Sequence, residues 1–194
     1  MASLDDLITS KVRIKLITLF FANPNEMYHV RGVVRETGEE INAIRRELQR
    51  FEEAGVIKRE ARGNRIYYWA NQDYPLFGDL VSTVAKEISL GSALIANKAK
   101  IGKPSFIMFS GKFARHVPRK KEDHVDVLVV GEIVLPELAT LIREEESKRN
   151  HEINYTVMSK EEFDFRKKRR DPFILSILAE SRVMIIGDQE DLVG

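Results

Sequence analysis

Two groups of side chains in this sequence are of types, and at spacings, that do chemistry. The first lies in INAIRRELQRFEE, residues 41–53. At helical spacing Ile44, Leu48 and Phe51 share one face, and Asn42, Arg45, Arg46 and Gln49 share the opposite one. Arginine can bind guanine at two atoms in the major groove of duplex DNA, and asparagine or glutamine can do the same with adenine. The outward face therefore carries groups that read bases. Arg31 and Arg50 are placed for phosphates, which position a protein without reading sequence. Arg62 and Arg65 flank a turn at Gly63 and could reach the minor groove or its phosphates. For any single arginine the alternative is a solvated charge, paired along the helix with Glu47, Glu52 or Glu53. The second group lies in FSGKFARH, residues 109–116, and HVDVLVV, residues 124–130.

The elements that must position the first group are legible. Val12, Leu16, Leu19 and Phe20 recur at helical spacing, and Asn23-Pro24-Asn25 ends that helix. A short helix is expected from about His29 to Glu36, broken at Gly38, and a third from Ile41 to Glu53. Ala54-Gly55 stops the third, glycine being the usual residue just past a helix end. VIKREA and RIYYWAN then read as two strands around Arg62-Gly63-Asn64.

Helix, helix, turn, helix and hairpin is the order of a winged helix-turn-helix. Leu48, Phe51, Glu52, Ala54, Gly55 and Ile57 also follow the LxxLExAGxI pattern. In this the segment resembles the winged-helix repressor families of bacteria and archaea. The resemblance implies that the third helix enters a DNA major groove. Glu39 and Glu40 stand where a serine or threonine usually caps such a helix. Acids suit the helix dipole but sit near where phosphates would approach, so weak binding, or binding as a dimer, is expected. PLFGDLVSTVAKEISL follows, with Leu76, Leu80, Val84 and Ile88 at steps of four and Phe77, Val81 and Ala85 widening the stripe. It reads as a linker helix that pairs with its twin in a homodimer; the alternative is that it covers its own domain.

The second group sits in an alternation of strands and helices. SFIMFS, VDVLVVG, EINYTVM and RVMIIGD read as strands, with helices at about Leu135–Lys148, after Ser159 (a capping box with Glu162) and after Asp171-Pro172. Strand, GxxAR, loop, hxDhLVhG and helix is similar to the minimal nucleotidyltransferase-like domains, and archaeal regulators joining a winged helix to such a domain look similar over the whole chain. The resemblance implies a Gly-Ser turn holding phosphates, and two aspartates plus a third carboxylate binding Mg²⁺. Here the serine position is Lys112, the first aspartate position is His124, and Asn154 stands nearest the third carboxylate. Only Asp126 matches. Magnesium needs several hard oxygen ligands, so nucleotidyl transfer is expected to be lost. His124 and Asp126 could share a strand face and hold a softer metal such as zinc, but two ligands are too few. What could survive is a phosphate-friendly pocket of Gly111, Lys112, Arg115 and Asp126 for a nucleotide or another anionic effector. The alternative is a scaffold in which Gly111 makes a turn and Lys112 is solvated.

The sequence thus predicts an α+β protein. A winged helix-turn-helix occupies 1–72, a linker and dimerisation helix 73–104, and an α/β nucleotidyltransferase-like domain with a mixed sheet 105–194. The expected function is a DNA-binding transcriptional regulator, with double-stranded DNA and a second copy as partners and no catalytic residue, cofactor or metal. A nucleotidyltransferase targeted by its winged helix is the competing reading. Arg166-Lys167-Lys168-Arg169-Arg170 is the densest basic run and could face nucleic acid or an anionic ligand; Arg119-Lys120-Lys121 is similar. Charge runs are otherwise solvated helix faces. Composition bounds the rest. The 194 residues are 43% hydrophobic and 31% charged, enough to build a core. The absence of cysteine removes disulfide scaffolds, thiolate zinc sites and cysteine nucleophiles. A net charge of +1 announces no global polyanion field. The start MASLDDLITSKVR is acidic, unlike a secretory signal, and no apolar run nears the roughly 20 residues that span a bilayer, so a cytoplasmic, non-membrane protein is expected.

Overall fold

The structure, a computed structural model, describes residues 3–118 and 125–194 and divides into two compact units between Val84 and Ala85. His124 and the Arg119-Lys120-Lys121 run fall outside the described residues. The fold is mixed α+β, with eleven helices and two sheets among the described residues.

The first unit opens with α1 (Leu4–Leu7), α2 (Lys11–Ala22), a two-residue β1 (Tyr28–His29), α3 (Val30–Thr37) and α4 (Ile41–Glu53). Each of the longer helices has a cap that matches its sequence. The Ser10 hydroxyl accepts from the Arg13 amide, the His29 Nδ1 from Gly32, and the Glu40 carboxylate from Asn42 and Ala43. After α4 the chain turns at Gly55, whose φ of +72° is open to glycine and strained for other residues. β2 (Ile57–Arg62) and β3 (Arg65–Ala70) form the hairpin that the sequence predicts, with Arg62 opposite Arg65. β1 adds to its far side, giving an antiparallel sheet of order β1-β3-β2. Leu16, Phe20, Val33, Ile44 and Leu48 are all but fully buried, and the Phe20 ring meets Tyr28 edge to face. The apolar face of α4 thus seats on α2 and α3, which leaves its polar face outward.

Phe77–Glu87 forms α5. The expected single helix is broken at Ile88-Ser89, where Ser89 takes a left-handed φ of +52°. The chain then continues as α6 (Ser89–Ala96), with Leu90 and Leu94 buried. On α5, Phe77, Val81 and Val84 are buried within the single chain, while Leu76 just before it is exposed.

The second unit continues with β4 (Gly102–Ser110), α7 (Gly111–Ala114), β5 (Val127–Ile133), α8 (Leu135–Arg149), β6 (Tyr155–Met158), α9 (Lys160–Lys168), α10 (Pro172–Ala179), β7 (Arg182–Ile186) and α11 (Gln189–Val193). Its sheet has the order β6-β5-β4-β7 and is mixed. β5 and β6 run parallel, which requires a crossover, and α8 is that crossover. β4 pairs antiparallel with both β5 and β7. Val127 to Val130 are all buried, as expected for a strand covered on both faces. One cluster, including Phe106, Met108, Leu128, Met158, Phe163 and Ile174, packs α9 and α10 against the sheet. The Ser159 hydroxyl caps α9 as expected, but the Glu162 carboxylate turns to Arg166, 2.7 Å away, because a long cation one turn on is the stronger partner. Among the described residues no helix is long and apolar enough to cross a membrane.

Candidate functional site

The outward face of α4 presents Asn42, Arg45, Arg46, Gln49 and Arg50 to solvent. Ion pairing divides these side chains and their neighbours. Glu47, expected as an acid on the helix surface, is buried, and its carboxylate holds two arginines. Arg13 of α2 donates from Nε at 3.0 Å and Nη2 at 3.3 Å, and Arg50 donates from Nη1 at 2.7 Å. Burial raises the Glu47 carboxyl, but the hydrogen bonds and charges of Arg13 and then Arg50 outweigh it and hold the group below its ordinary value. Gln49 donates to Glu53, Arg59 pairs with Glu52, and Arg62 pairs with Glu60. Arg31, Arg45, Arg46 and Arg65 are exposed and make no ion pair among the described residues.

The two acids before α4 are each engaged. Lys15 reaches the Glu39 carboxylate at 2.6 Å. Glu40 accepts from the amides of Asn42 at 2.8 Å and Ala43 at 2.9 Å, which hold its carboxyl below the usual range. Glu40 thus serves as the cap that a serine would otherwise supply, its charge directed at the helix end. The net result is a helix face on which Arg45 and Arg46 form no ion pair within 4 Å among the described residues, though both lie near enough to Glu40 to favour its charged form, with Arg31 on α3 and Arg65 on the hairpin.

In the second unit the expected phosphate group is not assembled as a group. Asp126 is buried and lines a pocket of about 530 Å³ with Phe113, His116, Val117, Pro118, Arg149 and His151. Gly111, Lys112 and Arg115 are not in that lining. The close approach at Gly111 is to protein: a Cβ there would stand 2.1 Å from the Ser181 Oγ, and its amide donates to the Ser181 carbonyl at 2.7 Å. The Arg115 Nε donates back to the Gly111 carbonyl at 2.9 Å. Lys112 is half-buried on the same short helix.

Asp126 is fixed from both sides. Its amide donates to the Asn154 carbonyl at 2.7 Å, and its Oδ2 accepts from the Asn154 amide at 2.8 Å. The pocket wall opposite is built by Arg149. Its guanidinium lies over the Phe113 ring, 4.4 Å from the centroid, and its Nε donates to the buried Glu145 at 2.5 Å. Arg149 and His151 escaped sequence reasoning because the parallel pairing of β5 with β6, with α8 between, is what brings them to this pocket, while His116 enters it from the turn after α7.

The resemblance to nucleotidyltransferases would call for Mg²⁺, and the donor set does not fit that ion. Among the described residues Asp126 is the one carboxylate lining the pocket, and it already accepts a backbone amide. Among the described residues no three His, Cys, Asp or Glu side chains gather where they could hold a metal. An ion that demands octahedral oxygen coordination would have to draw nearly all of it from water. No protein-family model, curated protein or solved structure matches this chain.

Proposed function

We propose that the chain is a sequence-specific, duplex-DNA-binding transcriptional regulator. In this reading the first unit is a winged helix-turn-helix with α4 as its recognition helix. The second unit is a nucleotidyltransferase-like domain without transferase chemistry, serving as scaffold or as sensor of a small ligand through the pocket at Asp126. The carrying observation is the pairing pattern on α4. Its inner face is locked to α2 by Ile44, Leu48 and the Arg13–Glu47 bridge, while Asn42, Arg45 and Arg46 are exposed and the two arginines form no ion pair within 4 Å among the described residues. Arg31 and Arg65 would add phosphate contacts beside the helix, and Arg50 could join only by leaving Glu47. A dimer on a two-fold operator would need surfaces other than the Phe77, Val81 and Val84 stripe, which the single chain already buries.

Salt-dependent binding tests this. On genomic duplex fragments, Arg45→Ala with Arg46→Ala should make the slope of log affinity against log salt shallower by about two units if both contact phosphate. If they contact bases instead, the slope stays and sequence preference is lost. If neither the slope nor the sequence preference changes, the assignment of α4 is refuted.

A further inference from the structure

Glu162, Asp164 and Asp171 around α9 are all engaged by cations other than the last three of the run. Glu162 and Asp171 both face Arg166, at 2.7 and 3.8 Å, and Asp164 pairs with Lys160 at 2.7 Å. Asp171 also caps α10 through the amides of Phe173 and Ile174. Lys167 turns inward, donating to the Leu192 carbonyl at 3.0 Å with its ammonium against the buried Phe163 ring. Lys168, Arg169 and Arg170 remain, all exposed and none in an ion pair among the described residues. Arg169 lies over Phe165, its guanidinium carbon 4.7 Å from a ring that is 57% exposed. The pair holds that cation outward on a flat, stiff support.

Arg170 adds an independent observation. It follows the α9 cap residue in a left-handed conformation, φ +55°, the position that helices usually give to glycine. The helix dipole favours a cation near the last turn, but a residue with a Cβ is strained in this backbone conformation. A cation is held where the backbone would be better served without it.

We infer that the Lys168–Arg169–Arg170 end of α9 binds the phosphodiester backbone of duplex nucleic acid, without reading sequence. Three cations presented from one helix end match closely spaced phosphates. A membrane surface fits less well, since such helices bury an apolar face and α9 turns Phe163 into the core, leaving Phe165 alone outside. A single strand fits less well too, because it is held on several stacked rings in a groove.

The test uses the full chain and a mixed-sequence duplex, measured by anisotropy over a salt series. Lys168→Gln with Arg170→Gln should make the slope shallower by about two units, and should do so equally when Arg45 and Arg46 are already alanine. Arg170→Gly alone should remove about one unit while the urea midpoint of the second unit, followed by circular dichroism, does not fall. An unchanged slope in the glutamine variant overturns the inference, as does lost binding to phosphatidylserine vesicles with duplex binding intact. A slope that responds to Arg45 and Arg46 but not to α9 leaves the reading of α4 standing and removes this one. A slope that responds to α9 but not to Arg45 and Arg46, with sequence preference also unchanged by those two, removes that reading and leaves this one.

Discussion

Replacing Glu47 by glutamine keeps the shape of the side chain and deletes its charge, so it isolates the electrostatic part of the lock between α4 and α2. The carboxylate is 9% exposed and takes three N–H donors, two from Arg13 and one from Arg50. A fully buried pair broken on one side would cost about 3–5 kcal/mol. Here the two cations are 39% and 63% exposed and can rehydrate, so each of the two weakened ion pairs is nearer about 0.5–1 kcal/mol, and the sum about 1–2 kcal/mol. The chain has one tryptophan, Trp69, and it lies on β3 of the first unit, so its fluorescence in urea reports that unit alone. With a slope near 1 kcal/mol/M for so small a unit, the midpoint should fall by about 1–2 M at pH 7. The sign with pH follows from the lowered carboxyl. Its contribution is complete above the ordinary value of 4.5 and is lost as pH falls through the lower folded value. The gap between wild type and Glu47→Gln should therefore be constant from pH 8 to about 5 and close in stronger acid. Superimposable urea curves at pH 7, or a gap that persists undiminished at acid pH, would refute the reasoning.

Two further outcomes follow from the second unit. Gly111→Ala should destabilise it by about 1–3 kcal/mol, because the added methyl would stand 2.1 Å from the Ser181 Oγ and 3.0 Å from its carbonyl. Adding Ser181→Gly should recover part of the loss in calorimetry, and no recovery would mean that the strain lies elsewhere. Incubation with labelled nucleoside triphosphates and Mg²⁺ should transfer no label to protein or small acceptors, and turnover abolished by Asp126→Ala would establish the competing enzyme reading.

The faces of α4 were legible because a 3.6-residue period, a cap position and Gly55 all agree on where that helix begins, ends and points. The hairpin was legible for the same reason, with Gly63 between two alternating runs. Glu47 was misread as a surface acid because its decisive partner, Arg13, lies 34 residues earlier, and no helical spacing rule reaches that far. Asp126 stood out by its motif, yet its true neighbours, Arg149 and His151, are set by strand order and not by spacing. The interruption of the linker helix at Ser89 rests on a left-handed serine, a residue type that carries no such signal in sequence. Local periodicity therefore located the helix face, while the pocket depended on tertiary pairing that the sequence alone does not display.

The most direct measurement is a selection of bound genomic fragments from the source organism. It would be followed by affinities for a selected duplex and for a scrambled duplex of equal length, both at one stated salt concentration. The selected duplex should bind at least about 10³-fold tighter. Asn42→Ala or Arg45→Ala should each cut that ratio by about 5- to 150-fold, the worth of one bidentate base contact. Equal affinity for the two duplexes, or a ratio that neither substitution changes, would contradict a base-reading role for α4.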